Sequence, residues 1–372
     1  MNSLFIGPYR QDDGWGMSAR DYIKSIATQT ENITIRPYFY TGQSVEISED
    51  IAKYEKTTYP KYDVVYQELL PQSMAITSAA KKNVGIFNME ITNLADSVCQ
   101  NILNNLDLVC VPSKQEAKSV KESGVKTKCK VISGALDLDF LKENADYKIN
   151  MQKSIDRSFK FYYVGEFVER KNLADVVTAF NLAFRDNENV SLIIKTSVPG
   201  KGSGEGQKIV KQALAQHKQM LNIGQVRDEY VITERLSDKD LIGLHNACDC
   251  FVMASYGEAF CRPAAEALVL GKTPIVTDHT GMTDFVNKKN GFIISSQKTP
   301  VIAGQRTLAD TFDIYNANSY WYRPNIYVMV DHMRTVYEMS KKDRKTLEEK
   351  RQLGKESMDQ FSYQTIGKKI CN

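Results

Sequence analysis

The residues with the clearest chemical reach lie in the run Ala254-Ser-Tyr-Gly-Glu-Ala-Phe-Cys-Arg-Pro-Ala-Ala-Glu-Ala-Leu268. An apolar strand ending at Ser255 leads into a loop that carries Glu258. A helix then starts near Pro263, a residue suited to the first helical position because its missing N–H has no partner there. The amides of Phe260, Cys261 and Arg262 therefore surround a positive helix terminus, a seat for a phosphate. Glu258 lies ahead of the helix and Glu266 about one turn inside it, so the two carboxylates can flank a phosphate and accept hydrogen bonds from hydroxyls on either side. A sugar nucleotide has that layout: hydroxylated sugar, diphosphate, hydroxylated ribose. An ordinary strand-loop-helix with solvated glutamates would carry the same pattern.

A second segment, Tyr163-Val-Gly-Glu-Phe-Val-Glu-Arg-Lys-Asn172, ends a strand at Gly165 and sets Arg170 and Lys171 just before a helix. A guanidinium fork beside an ammonium point charge can clamp a diphosphate; a solvated helix start is the plain alternative. Lys195, ending the next strand, is a weaker candidate for the same place. In Asp13-Gly-Trp-Gly-Met-Ser-Ala-Arg20, Gly14 and Gly16 let the backbone approach a ligand closely, and the order Gly14-Trp15-Gly16-Met-Ser-Ala19 matches a dinucleotide fingerprint. The preceding strand stops near Gly7, however, and the next one, Ile33 to Phe39, ends without an acidic ribose partner. Glu90 follows another strand and is placed either to act on an acceptor hydroxyl or to start a helix. Gly281 and Met282, in Thr277 to Asp284, can offer amides to a ligand, and His279 beside them is either catalytic or structural. Gly200 to Gly206 lacks the order of a phosphate-binding loop and reads as flexible.

The whole chain sets limits on these readings. Its 372 residues suggest two domains of ordinary size. Apolar residues at 42% and charged residues at 25% exclude a disordered polymer, a collagen-like repeat and a membrane bundle. Lys+Arg 48 against Asp+Glu 45 gives +3, too even for a global grip on nucleic acid. The 7 cysteines contain no C-x-x-C, and His217, His245, His279 and His332 are far apart, so neither a zinc site nor a disulfide framework is expected. Reduced cysteines in a cytoplasmic setting fit this usage. No secretory leader and no apolar run of about 20 residues is expected. The lysines at 114, 118, 121, 126, 128 and 130 form a basic cluster that suits an anionic membrane, a polyanionic acceptor or plain solvent.

These residues need elements to hold them. Leu4 to Ile6, Ile33 to Phe39, Asp63 to Tyr66, Val84 to Phe87, Leu108 to Val111 and Lys130 to Ile132 read as strands. Helices are expected at Met17 to Ala27, with Tyr22, Ile23 and Ile26 on one face, at Leu94 to Leu106, and after Ser113, whose capping box includes Glu116. Leu141 to Arg157 reads as a linker. A second series follows from Phe159: strands at Phe161, Leu192, Tyr230, Phe251, Pro274 and Phe292, helices between them, a fading strand signal after Gln297, and closing helices. Strands alternating with helices predict an α/β chain of two doubly wound halves with parallel sheets, facing a central cleft.

Glu258-x7-Glu266 after a strand, together with Gly165 and Arg170-Lys171-Asn172, resembles glycosyltransferase family 4, retaining enzymes of the GT-B fold. Glu90-Ile-Thr92, Leu108 to Ser113 and Gly124-Val125 resemble the N-terminal half of its mannosyltransferase-like members, and Trp321 with the closing helices resembles the tail that crosses back onto that half. The resemblance implies an acceptor-side Rossmann-like domain over residues 1–157, a nucleotide-sugar domain over 158–350, and a terminal helix over 351–372 returning to the first. It implies transfer of a mannose- or glucose-type hexose, with retention, from a nucleotide diphosphate sugar such as GDP-mannose or UDP-glucose to a hydroxyl of a glycan or lipid-linked acceptor. Glu266 would hold the donor ribose, Glu258 would face the sugar, and the amides from Ala259 to Arg262 would bind sugar and diphosphate. Arg170 and Lys171 would neutralise the leaving group without a metal or other cofactor, and the Gly14-Trp15-Gly16 loop would close over the phosphates. Charge reversal at Lys171 is expected to cut turnover and leave the fold intact. The family's Gly-Phe-Gly is here Ala259-Phe260-Cys261, and no histidine precedes His217, so Glu90 stands in for the family's N-terminal histidine. A nicotinamide-dependent oxidoreductase built on Gly14 to Ala19, a non-catalytic sugar-nucleotide binder and a phosphorylase are the competing readings.

Overall fold

Parallel strands covered by helices on both faces are written as continuous apolar runs, and this chain carries two series of them. The computed structural model of the protein describes residues 1–40, 44–94, 96–185, 188–301 and 318–372. They form two compact units. The first holds Met1–Asp137, a short stretch ending at Tyr320, and Gln360–Asn372; the second starts at Leu138 and includes Trp321–Asp359.

In the first unit, β1 (Ser3–Gly7), β2 (Ile33–Pro37), β3 (Tyr62–Glu68), β4 (Ala80–Ile86), β5 (Leu108–Val111) and β6 (Cys129–Val131) are all parallel, in the order β2-β1-β3-β4-β5-β6. The register sets Phe5 between Ile35 and Tyr66. These three side chains share a buried cluster with Tyr22, Ile23 and Ile26 of the helix Gly14–Ala27, and with Ile366 and Ile370 of the last helix, Tyr363–Cys371. The helix face expected from the spacing of Tyr22, Ile23 and Ile26 is thus the buried one, and each such side chain contributes about 1.5–3 kcal/mol. Polar contacts also hold the last helix: the Tyr363 hydroxyl donates to Asp21 at 2.8 Å, and Lys130 Nζ donates to the Lys369 carbonyl at 2.7 Å.

In the second unit, β7 (Phe159–Val164), β8 (Val190–Lys195), β9 (Tyr230–Ile232), β10 (Cys250–Met253), β11 (Thr273–Thr277) and β12 (Phe292–Ile294) are parallel in the order β12-β11-β10-β7-β8-β9. The winding reverses between β7 and β10, where Tyr162 lies beside Phe251. Ligands of open α/β sheets bind outside the carboxyl ends of the strands at such a reversal. The two segments singled out above follow β7 and β10.

Several boundaries differ from the sequence expectation. The helix expected from Met17 begins at Gly14, because Asp13 caps it and accepts from the Gly16 amide at 2.9 Å. The expected linker starts inside one short helix, Leu138–Glu143, and contains another, Lys153–Asp156, both too brief to show a helical period. It is also pinned: Asn246 Nδ2 donates to the carbonyls of Asn144 and Tyr147, and the Tyr147 hydroxyl donates to Asp240. The helix expected at Leu94 to Leu106 spans Ser97–Asn104, with Ala95 outside the described residues. Where the strand signal fades, β13 (Ser296–Pro300) and β14 (Tyr320–Pro324) form a two-stranded sheet of mostly polar residues. Trp321 lies on β14 against Tyr256, with ring centroids 5.7 Å apart, and belongs to the second unit rather than to a tail on the first. Among the described residues no helix is long and apolar enough to cross a membrane.

Gly367 sits where the last helix meets the first, and a Cβ there would overlap the Ser25 carbonyl. Gly367→Ala is expected to cost about 2 kcal/mol or more by forcing the two helices apart. Urea unfolding measures this, and a variant as stable as the parent would refute the close packing.

Candidate functional site

Two strand-to-helix junctions of the second unit are stitched together at the reversal point. After β7, a single turn, Glu169–Lys171, closes on Asn172, which has a left-handed φ of 52°. Asparagine tolerates that conformation. Its Nδ2 donates to the Ala254 carbonyl at 2.9 Å and to Asp175 at 3.0 Å, so the turn is tied to the end of β10. The Tyr256 amide donates to the Arg170 carbonyl at 2.8 Å, and Arg170 Nη1 donates to the Gly257 carbonyl at 2.7 Å. Glu258 completes the join. Its Oε1 accepts from Lys171 Nζ at 2.7 Å and lies 3.4 Å from Arg170 Nη1. The Glu258 side chain is only 5% exposed. Both cations thus meet on one carboxylate. Gly165 is needed for its fit, since a Cβ there would come 2.8 Å from the Tyr163 hydroxyl oxygen.

Cys261 precedes the helix Arg262–Val269 with φ 66°, a left-handed conformation that costs a non-glycine residue about 1–2 kcal/mol. The resemblance set out above places a glycine at this position, where the chain has cysteine. Arg262 Nε donates to Glu266 Oε1 at 2.8 Å along the helix, and His245 Nε2 stands 3.6 Å from Glu266 Oε2. Burial pushes the Glu266 carboxyl upward, but the neighbouring His245 and the charge of Arg262 outweigh it and hold the pKa below its ordinary value. The Phe260 ring packs on Phe285 at 5.4 Å, and Ala259 is buried.

The amide of Gly281 donates to the Glu258 carbonyl at 2.7 Å, and a Cβ there would overlap the Ala259 carbonyl. Gly281 therefore buttresses the Glu258 loop, which corrects the expectation that its amide is offered to a ligand. The Met282 side chain is fully buried. Lys195 ends β8 partly buried near Glu234, and burial lowers its pKa. His279 stacks on Tyr322 at 4.3 Å. Gly204 and Gly206 lie inside the helix Ser203–Met220, so the flexible reading of Gly200 to Gly206 holds at most for its first residues.

In the first unit, Gly14, Trp15 and Gly16 form a helical turn and not a loop. Residues Pro8 to Asp13 separate that turn from β1, which removes the tight turn a dinucleotide fingerprint needs. A Cβ on Gly16 would overlap the Gln11 carbonyl, so packing accounts for this glycine. Trp15 meets Tyr40 edge-on at 5.5 Å. Glu90 lies half-buried in the turn after β4, next to Met89, whose amide donates to Glu116 at 2.6 Å. Ser113 caps the helix Lys114–Glu122 as expected, accepting from the Glu116 amide. The sequence reading passed over Glu68. It ends β3 beside β1, where the winding of this sheet reverses, and is buried. Its Oε1 accepts from the Ser18 hydroxyl at 2.5 Å, its Oε2 has no hydrogen-bond partner, and burial pushes its pKa up to about 8. A lone acid at the end of an apolar run gives little sequence signal.

The sequence holds two Asp-x-Asp spacings, Asp137-Leu-Asp139 and Asp238-Lys-Asp240; Asp240 accepts from the Ser237 and Tyr147 hydroxyls at a helix start. Among the described residues no group of three His, Cys, Asp or Glu is placed to hold a metal ion.

Two parallel six-stranded sheets with flanking helices define a GT-B fold of two Rossmann-like units. Residues 146–306 match the family described as glycosyl transferases group 1, a span that includes β7 to β12 and the whole stitched junction. No curated protein sequence is a significant match. Solved structures similar to this chain include HepE from Anabaena in complex with UDP and glucose, at 16% identity and a TM-score of 0.64. Sucrose-phosphate synthase from Thermosynechococcus elongatus is similar at 13% and 0.66, and the trehalose-6-phosphate synthase OtsA at 9% and 0.69. Each comparison covers 100% of this chain and 98% of the other.

The left-handed backbone at Cys261 sets a test. Cys261→Gly relieves the strain as it removes a buried side chain, and is expected to stay within about 1 kcal/mol of the parent. Cys261→Val puts a branched Cβ into the same conformation and is expected to cost more than about 2 kcal/mol. Denaturant unfolding of both variants decides, and a valine variant as stable as the glycine one would dismiss the strain.

Proposed function

We propose that the chain is a glycosyltransferase that moves a hexose of the glucose or mannose type from a nucleotide diphosphate sugar to a hydroxyl of a glycan or lipid-linked acceptor, with retention at the anomeric carbon. The observation that carries this reading is the junction after β7 and β10. A carboxylate bound by two cations and a helix start carrying Glu266 lie together within the span that matches glycosyl transferases group 1.

The chemistry breaks the bond between the anomeric carbon and the diphosphate oxygen, and the electron pair leaves with the diphosphate. The acceptor oxygen bonds to the same carbon on the same face, and its proton passes to the departing phosphate oxygen. Positive charge grows on the sugar ring and negative charge on the leaving group. Arg170 and Lys171, already fixed by Glu258, meet that negative charge with little reorganisation. The terminus of Arg262–Val269 adds a favourable dipole. These groups take the place of a divalent metal in this reading, so turnover is expected to persist in excess EDTA. Glu266 accepts the ribose hydroxyls. Because a neighbour of the same fold is described in complex with UDP-glucose, UDP-glucose is the first donor to test and GDP-mannose the second. Contact with an anionic lipid surface through the exposed Lys114, Lys118, Lys121, Lys126 and Lys128, in a cytoplasmic setting, belongs to the same reading.

Release of nucleoside diphosphate from either donor, with and without glycan acceptors, tests the proposal; failure to bind or turn over both would sink it. The ion pair changes which variant is informative. Charge reversal at Lys171 would set two carboxylates together in a buried place, so it would damage the fold as well as turnover. Lys171→Met keeps the Arg170–Glu258 contact and is expected to lower kcat about 100-fold or more in a folded protein. A kcat near the parent's would remove Lys171 from the leaving-group clamp. Glu266→Ala is expected to raise the donor KM about tenfold with a smaller effect on kcat. An unchanged donor KM would rule out the ribose contact.

A further inference from the structure

Behind Glu266 lies a buried chain of polar groups that the donor reading does not use. The Tyr162 hydroxyl on β7 is 2.7 Å from His245 Nδ1 on the helix Asp238–Ala247. Both side chains are fully buried, with the imidazole edge-on to the Tyr162 ring at 5.3 Å and Phe251 packed on the same phenol at 5.4 Å. The Glu266 carboxylate facing Nε2 favours the imidazole N–H on that side, which leaves Nδ1 to accept from the Tyr162 hydroxyl. The imidazole N–H is then on Nε2. That nitrogen has no hydrogen-bond partner, and the carboxylate in reach is Glu266, at 3.6 Å. A buried N–H without an acceptor costs about 1–3 kcal/mol. At 3.6 Å the contact is just beyond hydrogen-bond length, so a small rotation of the carboxylate would close it.

We infer that His245, held in one tautomer by Tyr162, is a positioning residue that fixes the plane of the Glu266 carboxylate for recognition of a vicinal diol, the ribose of a nucleoside diphosphate. A carboxylate accepts from two neighbouring hydroxyls together only if its plane is set. Arg262 holds one oxygen, but its side chain is 24% exposed and long, and a single contact leaves the plane free to turn. The rigid, fully enclosed His245 supplies the second point. This assignment rests on the donor reading above and adds to it the group that gives Glu266 its aim. A histidine that merely fills the core would stabilise the unit without caring which sugar the nucleotide carries, and the test exploits that difference.

UDP and GDP, each beside its 2′-deoxy counterpart, are titrated calorimetrically into the full chain and its variants, with thermal melts to verify folding. The parent is expected to favour the ribonucleotide by about tenfold or more. His245→Leu is expected to erase most of that preference. His245→Gln, whose amide N–H falls near Nε2, is expected to keep most of it. Tyr162→Phe retains the ring packing and is expected to weaken the preference in the same direction; it decides the matter if the leucine variant does not fold. A folded His245→Leu, or a Tyr162→Phe, that discriminates as well as the parent overturns the inference and leaves the donor reading standing. A parent that binds neither nucleotide overturns the donor reading and this inference with it; one that binds ribo and deoxy forms alike overturns the Glu266 ribose contact and this inference.

Discussion

The site hangs on one buried carboxylate between two cations. Glu258 reaches from the loop after β10 to Lys171 and Arg170 in the turn after β7. Removing either side leaves charge in a poorly hydrated place, a cost of several kcal/mol, so the two loops are obliged to stay together. Parallel pairing of β7 with β10 makes the contact possible, because it brings the carboxyl ends of the strands side by side where the winding reverses. The remaining supports have the same effect. Asn172 ties the turn to Ala254, Gly281 buttresses the Glu258 carbonyl, and Arg170 bonds the Gly257 carbonyl. Cations held this firmly need little further ordering to meet an anion, which is what the proposed leaving-group role asks of them.

The contrast with Glu68 shows what those cations do. Both glutamates are buried at the carboxyl end of a sheet next to a reversal in winding. Glu68 has a hydroxyl for company and feels Asp13 and Asp21, so burial wins and pushes its pKa up to about 8. It is a neutral acid through the neutral range. Because its folded pKa lies above the ordinary carboxyl value, its burial costs stability as pH climbs toward 8 and costs little below the ordinary value. Glu258 has two cations within 3.4 Å and serves as a charged strut. One residue type near the carboxyl ends of two sheets thus meets different neighbours, a hydroxyl in one and two cations in the other.

Much of the fold was legible because buried parallel strands and amphipathic helices leave a strong pattern. Phe5, Ile35, Phe251 and Ile275 fall in apolar runs, and Tyr22, Ile23 and Ile26 share one helix face. The site was legible in pieces: Glu258 and Glu266 by their spacing around a helix start, Arg170 and Lys171 by their place before one. Their pairing was not, because it depends on strand order, which no local pattern encodes. The Gly14-Trp15-Gly16 segment is helical where a loop was expected, for a physical reason. Glycines suggest a loop for a ligand, but Asp13 caps a helix there and Gly16 makes room for the Gln11 carbonyl. His245 was seen only as one of four scattered histidines; its meaning comes from Tyr162 and Glu266, which belong to other elements.

The departures from local rules gather at this same junction. Cys261 and Asn172 take left-handed backbone without being glycine, Gly281 admits no side chain, and the buried Nε2 of His245 stops just short of an acceptor. Each is unfavourable taken alone, and a chain under selection for stability only would be expected to lose such features one by one. Their concentration where two loops and a helix start converge argues that the junction is shaped for a ligand. The cations must stand at the mouth of the sheet, which requires the bend at Asn172. On the proposed donor reading, a bound nucleotide would offer phosphate oxygens to Arg170 and Lys171 and hydroxyls to Glu266, which would offset part of that cost.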